Sequence, residues 1–306
     1  MSDQLNKMEK INSLKNGRGV QYLLNEAYKI LGNPILVHDM EYKIIAYTEN
    51  IVTDDPIWNE FTTTGTVGRE RLEFYKNEKF YYAAANAKKV TFLISDKLKY
   101  ERILGKLFNS DNIQIGIASI EAHTPFPDDI LKLFECFCSV LNKEFSKSEY
   151  YRIYGQEYQE ILINKLIEGD IEDKEIYTAH VESVYMNLKK YLYLAVVDTV
   201  QCDPEHIRLP YFRDLFKKTQ PAFKYCLHSD YVVIIISSDD EIFCVKKDLN
   251  KLNRIFKQNN VYAGISGCFE NLFELKKYYT EAVHALNCGL KSNGLQQVFL
   301  YDVSEP

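Results

Sequence analysis

The strongest constraint on the fold lies in the closing stretch of the chain. An apolar strand pattern at 261–267, VYAGISG, is followed by helical spacing over 272–290 and a last apolar run at 298–302. Ala263 and Gly264 carry little or no side chain, so the backbone there can pass close to a neighbour. Leu275, Tyr278, Tyr279, Ala282, Ala285 and Leu286 recur at three- and four-residue spacing, which is one stripe of a helix. The small residues Ala282 and Ala285 suit close packing of that helix on a sheet. Many α/β domains end in this way, so the rest of the pattern has to be read upstream.

Upstream, YLYLAVVD at 191–198 reads as a strand, 210–219 as a helix, and 222–226 with 231–237 as a hairpin. A further strand is expected at 242–245, then a helix over 247–258, then the closing strand, helix and strand. The segment AGISGCFENLFELKKYYTEAVHALNCGLKSNG at 263–294 resembles the end of the GGDEF-like domain of PucR/CdaR-type bacterial transcription regulators. EILINKLIEG at 160–169 resembles the start of their output half, and Gly169 fits a left-handed helix end. The element order resembles that of the GGDEF/adenylyl cyclase-like fold.

That resemblance implies a nucleotide site, and its residues are degenerate. A working cyclase of this type needs carboxylates for two divalent metals and a Gly-Gly turn that lets backbone approach the nucleotide. The corresponding box falls on Leu227, His228, Ser229, Asp230 and Tyr231, with no glycine and one acidic residue. Asp198 stands where the family's first metal-binding aspartate lies, but Thr199, Val200 and Gln201 follow it. The sequence therefore predicts an enzymatically silent domain with no catalytic residues, no metal and no cofactor. The alternative is nucleotide binding or weak turnover using Asp198 and Asp230. His228 is expected to be a solvent-exposed turn residue.

The N-terminal half reads as an amphipathic helix over 5–31 that Gly17 and Gly19 can interrupt, stopped by Gly32-Asn33-Pro34. ILVH at 35–38 and KIIAY at 43–47 read as a hairpin. LGNPILVHDMEYKIIAYTEN at 31–50 resembles the opening of a PAS or GAF sensor domain, with Glu41-Tyr42 where those families commonly carry glycine. Helical stretches are expected at 55–63 and 68–77, strands at 81–85, 90–95 and 113–121, and a helix over 97–109. Asp129 is expected to cap a helix that carries Ile130, Leu133, Phe134, Phe137, Leu141 and Phe145. A ligand pocket on the sheet face within 35–121 would be walled by Tyr47, Trp58, Phe61, Tyr82 and Phe92, residues that also suit plain core.

The fold class expected is α+β, in three parts. A PAS/GAF-like sensor domain spans 1–148, a linker helix 149–170 and a degenerate GGDEF-like domain 171–306. The helix at 149–168 is either an ordinary amphipathic cover or a dimerising linker with Leu162 and Leu166 on its seam. An unknown small-molecule effector and a homodimer are the partners expected.

The chain has 306 residues and a formal net charge of −6, which argues against a chain-wide nucleic-acid footprint. The resemblance implies DNA contact through a helix-turn-helix, and none is expected within these residues. The N-terminus lacks an apolar signal segment and no apolar run is long enough to cross a bilayer, so a cytoplasmic location without membrane association is expected. Its seven cysteines include no CxxC pair and read as reduced thiols. The paired carboxylates Asp54-Asp55, Asp128-Asp129 and Asp239-Asp240 suit capping and solvation rather than acid–base chemistry.

Overall fold

The computed structural model describes residues 2–14, 17–78, 80, 89–169, 171, 178, 181, 188–239, 241, 243–291 and 296–301. The chain is α+β and divides into two compact units, Met1–Glu157 with Asp173–Val184, and Tyr158–Glu172 with Tyr185–Pro306. One of the crossings between them falls inside the helix expected over 149–168.

In the N-terminal unit the first helical pattern is two helices, α1 (Ser2–Asn12) and α2 (Val20–Leu31). Gly17 and Gly19 adopt positive φ between them, and the Glu144 carboxylate accepts both of their N–H groups. Gly32 ends α2 in the left-handed conformation. The hairpin follows as β1 (Ile35–Asp39) and β2 (Ile44–Tyr47). Tyr42 occupies the turn at φ 62°, the seat a glycine would fill without strain. Its ring stacks on His38 at 5.0 Å, a contact glycine could not make.

Helices α3 (Pro56–Thr64) and α4 (Arg69–Asn77) precede β3 (Val90–Leu93), β4 (Arg102–Phe108) and β5 (Gln114–Glu121). The expected strand at 81–85 lies outside the described residues. The sheet order is β2-β1-β5-β4-β3, antiparallel throughout.

Strand β4 corrects the helix expected over 97–109. Ile103 and Leu107 enter the core on one face, while Arg102, Leu104 and Lys106 are turned to the other. Both faces are covered, so the period-two signal of a half-exposed strand is absent. Helix α5 (Ile130–Phe145) packs with α1 and α2 over the first face, around Phe134 and Phe137. Asp129 precedes it without making a side-chain capping bond, contrary to expectation. A Cβ on Gly105 would lie 2.4 Å from Cys138 Sγ, so α5 sits close to the sheet.

Helix α6 (Glu149–Glu168) contributes residues to both units. The C-terminal unit continues with β6 (Tyr191–Asp198), α7 (Leu209–Thr219), β7 (Lys224–His228), β8 (Tyr231–Ser238), α8 (Phe243–Asn259), β9 (Tyr262–Ile265), a short 3-10 turn (Leu272–Glu274), α9 (Leu275–Lys291) and β10 (Val298–Leu300). Its sheet order is β10-β9-β6-β8-β7, with β10 parallel to β9 and the other pairs antiparallel.

The strand expected at 242–245 is the start of α8 from Phe243 onward. The predicted stripe of α9 packs as read. Leu275, Tyr278, Ala282, Ala285 and Leu286 are buried, and a Cβ on Gly264 would meet Ala282 O at 2.0 Å. Leu162 and Leu166 are buried within the chain at 3% and 1% exposure, so they are not free to form the dimer seam expected of them.

Candidate functional site

Asp55 builds one end of the site. Its Oδ1 accepts from the N–H groups of Ile57 (2.6 Å) and Trp58 (3.1 Å), capping α3 behind Pro56. Its Oδ2 accepts from Arg102 Nη2 at 2.8 Å, and the same nitrogen lies 2.8 Å from Glu121 Oε1. Arg102 and Glu121 face each other across β4 and β5. All three side chains are buried. Burial works against the Arg102 charge; the Glu121 and Asp55 carboxylates outweigh it and hold its pKa above the ordinary value. Glu121 Oε2 is 3.3 Å from His123 Nε2, whose ring stands 4.4 Å from Tyr100 and 6.3 Å from Trp58. The network pins the start of α3, and with it Trp58 and Phe61, to the sheet.

The register defines the rest of this face. Leu36 and Leu104 flank Ser119 on β5, and His38 and Lys106 flank Ile117. His38 stacks between Tyr42 and Phe61, the latter at 5.6 Å, and its Nδ1 is 2.7 Å from Asp39 O. Burial pushes the His38 imidazole down to about 4, so it is neutral near pH 7. Burial raises the Tyr75 hydroxyl above its ordinary range. Two polar atoms of the face, Ser119 Oγ and Arg102 Nε, are buried with no hydrogen-bond partner among the described residues. Such groups carry a desolvation cost unless something satisfies them.

Of the five pocket residues expected from sequence, Trp58 and Phe61 are buried in the cluster over this face with Leu36, Ile57 and Tyr75. Tyr47 packs against that cluster, edge-on to Trp58 at 6.3 Å. Phe92 is a correction. It shares its side of β3 with Val90, which packs on the α5 side, and its ring meets Phe126 at 6.2 Å. Strand alternation carries Leu93, not Phe92, to the α3 face. Tyr82 lies outside the described residues.

The sequence reading missed Arg102, Glu121, His38 and Ser119. Arg102 falls within the helix expected over 97–109. For the other three, strand alternation from Leu36 and Leu104 was the available signal.

In the C-terminal unit the degenerate box forms a tight hairpin. His228 pairs with Tyr231, leaving Ser229 (φ 50°) and Asp230 as the exposed turn. His228 is half-buried, which corrects the exposed turn residue expected. Its Nδ1 is 2.9 Å from Asn164 Oδ1, Asn164 Nδ2 donates to Leu227 O at 3.1 Å, and the ring meets Tyr279 edge-on at 5.0 Å. Burial lowers the His228 pKa, opposed by Glu168. Asp198 pairs across the sheet with Tyr231, and its Oδ1 accepts from Val200 N at 2.8 Å. Burial, with Asp198 and Asp230 nearby, raises the Tyr231 hydroxyl. Among the described residues no group of three or more His, Cys, Asp or Glu side chains could hold a metal ion. None of their helices is long and apolar enough to cross a membrane.

Residues 171–288 match the family model of the GGDEF-like domain. No curated protein matches the chain at a significant level. Among solved structures, the chain is similar to the cofactor-binding GAF domain of the nutrient sensor CodY from Clostridium difficile, at 15% identity and a TM-score of 0.30, covering 47% of this chain and 94% of that one. It is also similar to PelD from Pseudomonas aeruginosa PAO1, at 10% identity and a TM-score of 0.23 over 86% of this chain and 88% of that one. PelD from Pseudomonas aeruginosa PA14 in complex with c-di-GMP follows at 9% identity and a TM-score of 0.26, covering 88% and 90%.

Proposed function

We propose that this chain is the sensing and relay portion of a bacterial transcription regulator of the PucR/CdaR type. The N-terminal unit binds a small-molecule effector on the α3 face of its sheet. The C-terminal GGDEF-like unit passes the state on without turning over nucleotide. Output to DNA runs through a helix-turn-helix outside these residues, in a cytoplasmic homodimer that uses a face other than Leu162 and Leu166.

The observation that carries the reading is the closed hairpin at 227–231. Asn164 bonds the hairpin and Tyr279 packs on the His228 ring, at the position where a working site needs open glycine backbone. Asp198 is engaged with its own loop. The buried, partly unsatisfied polar groups of the N-terminal face support ligand binding there.

Incubation with GTP or ATP and Mg²⁺ or Mn²⁺ is expected to yield no cyclised product and no pyrophosphate. Turnover abolished by Asp198→Ala would establish the alternative, an active site built on Asp198 and Asp230. Trp58 is the only tryptophan, so an effector found by thermal shift should change its emission. A saturating effector that leaves the emission untouched would move the pocket elsewhere.

A further inference from the structure

Resting on the sensing reading above, we infer that the effector of the N-terminal unit is an uncharged small molecule. Its carbonyl, or an equivalent acceptor, sits between Arg102 Nε and Ser119 Oγ, and its apolar or aromatic body lies against the cluster of Trp58 and Phe61.

The two unpartnered atoms define the polar end. Arg102 is 5% exposed and Ser119 7%, and neither atom has a hydrogen-bond partner among the described residues. They share one sheet face. Arg102 stands opposite Glu121, and Ser119 lies two residues before Glu121 on the same strand. That makes them diagonal neighbours, within reach of a common partner for a side chain as long as arginine. An arginine Nε–H only donates, and a serine hydroxyl can donate. One carbonyl oxygen, with two lone pairs, satisfies both. An ammonium group supplies no acceptor and satisfies neither N–H nor O–H.

Charge selects against an anion. Asp55 and Glu121 already sit on Arg102, so the three groups sum to −1 (+1 −1 −1). A carboxylate or phosphate brought to Arg102 Nε would enter a buried site that already holds that excess. His38, neutral near pH 7, offers no compensating charge. Lys106, on the same face beyond Leu104, brings the sum to zero (−1 +1), and the paired Arg71 and Glu60 beside Tyr75 leave it there (+1 −1). The remaining wall is aromatic and aliphatic, with Trp58, Phe61 and Tyr75 buried in one cluster with Leu36, and Leu104 packed on it. A planar or acyl body suits it.

Matched probes on the full chain test this: nicotinamide against nicotinate, benzamide against benzoate, and benzylamine as the cation, read by thermal shift and Trp58 emission. The amide of each pair is expected to raise Tm and change the emission, and its charged counterparts to do neither. Ser119→Ala leaves the Arg102 ion pairs intact and should weaken amide binding about three- to tenfold, the worth of one hydrogen bond. A stronger response to the carboxylates overturns the charge assignment and leaves the sensing reading standing. Unchanged amide affinity in Ser119→Ala overturns the acceptor position. Silence from every probe overturns the inference, while the sensing reading stands or falls on the thermal-shift search and Trp58 emission described above.

Discussion

Strands β6 and β8 of the C-terminal unit bury apolar residues in unbroken runs at 192–197 and 232–236, whereas β4 and β5 of the N-terminal unit bury Arg102, Lys106, Gln114, Ser119 and Glu121 among theirs. The first composition maximises apolar burial and places its polar groups in turns. The second takes ionised groups out of water, which costs free energy even when they are paired. One sheet carries helices; the other carries helices and also holds buried chemistry in position. Among the described residues, the unit that carries the GGDEF-like match has the plainer interior of the two.

The largest expected effect breaks that contrast at its most loaded point. Asp55→Ala removes the cap of α3 and half of the pairing of a buried guanidinium. A loss of about 3–5 kcal/mol in urea unfolding is expected, the usual cost of stripping one partner from a buried ion pair. The matching change in the C-terminal unit, Arg213→Ala, opens a pair with Glu160 whose side chains are 26% and 21% exposed. It strips a partner from a half-buried carboxylate and should cost about 1–2 kcal/mol, less than the buried network. Equal losses at the two sites would show that the N-terminal network holds no more than a half-buried pair does.

A second effect separates the units by pH. His38 is held neutral, its pKa lowered from 6.5 to about 4 by burial. The unfolded chain takes up a proton in that window and the folded chain does not. Stability contributed by His38 is therefore complete above about pH 6.5 and declines as the pH falls toward 4, by roughly 3 kcal/mol in all. His38→Gln should flatten this acid slope. His228→Gln should flatten it less, because His228 is only half-buried and Glu168 opposes its shift. Denaturant titrations between pH 4 and pH 7 decide the matter, and an unchanged slope in His38→Gln overturns it.

The same contrast explains how much of this molecule could be read in advance. The helix of Leu275, Tyr278, Ala282, Ala285 and Leu286 and the close approach at Gly264 were legible because amphipathic spacing and a missing Cβ have local meaning. The degenerate box fell on the observed turn for a similar reason, since apolar strand runs bracket it. Strand β4 was not legible. With charged residues turned inward on one face and Ile103 and Leu107 on the other, its pattern mimics helical spacing until the neighbouring strands are known. Phe92 and Leu93 differ by one residue, and so by a whole face of the sheet. Asp55 was read correctly as a capping residue, but its second partner, Arg102, is 47 residues away and no local pattern announces it.

The smallest effect concerns the hairpin at 227–231. Ser229 and Asp230 are exposed, and the hairpin is held from beneath by Asn164, through Leu227 O and His228 Nδ1. If the turn is only a connection, Asp230→Ala should change stability by no more than roughly 0.5 kcal/mol. Asn164→Ala removes a partner from two half-buried groups and should cost more, about 1–3 kcal/mol. The ordering is the test. An Asp230→Ala variant that loses more stability than Asn164→Ala would mean the carboxylate is engaged in the folded unit. A loss of Mg²⁺-dependent GTP binding on Asp230→Ala or Asp198→Ala would go further, because it would give the C-terminal unit a ligand of its own. The asymmetry between the two sheets would then describe two different sites rather than one site and one relay.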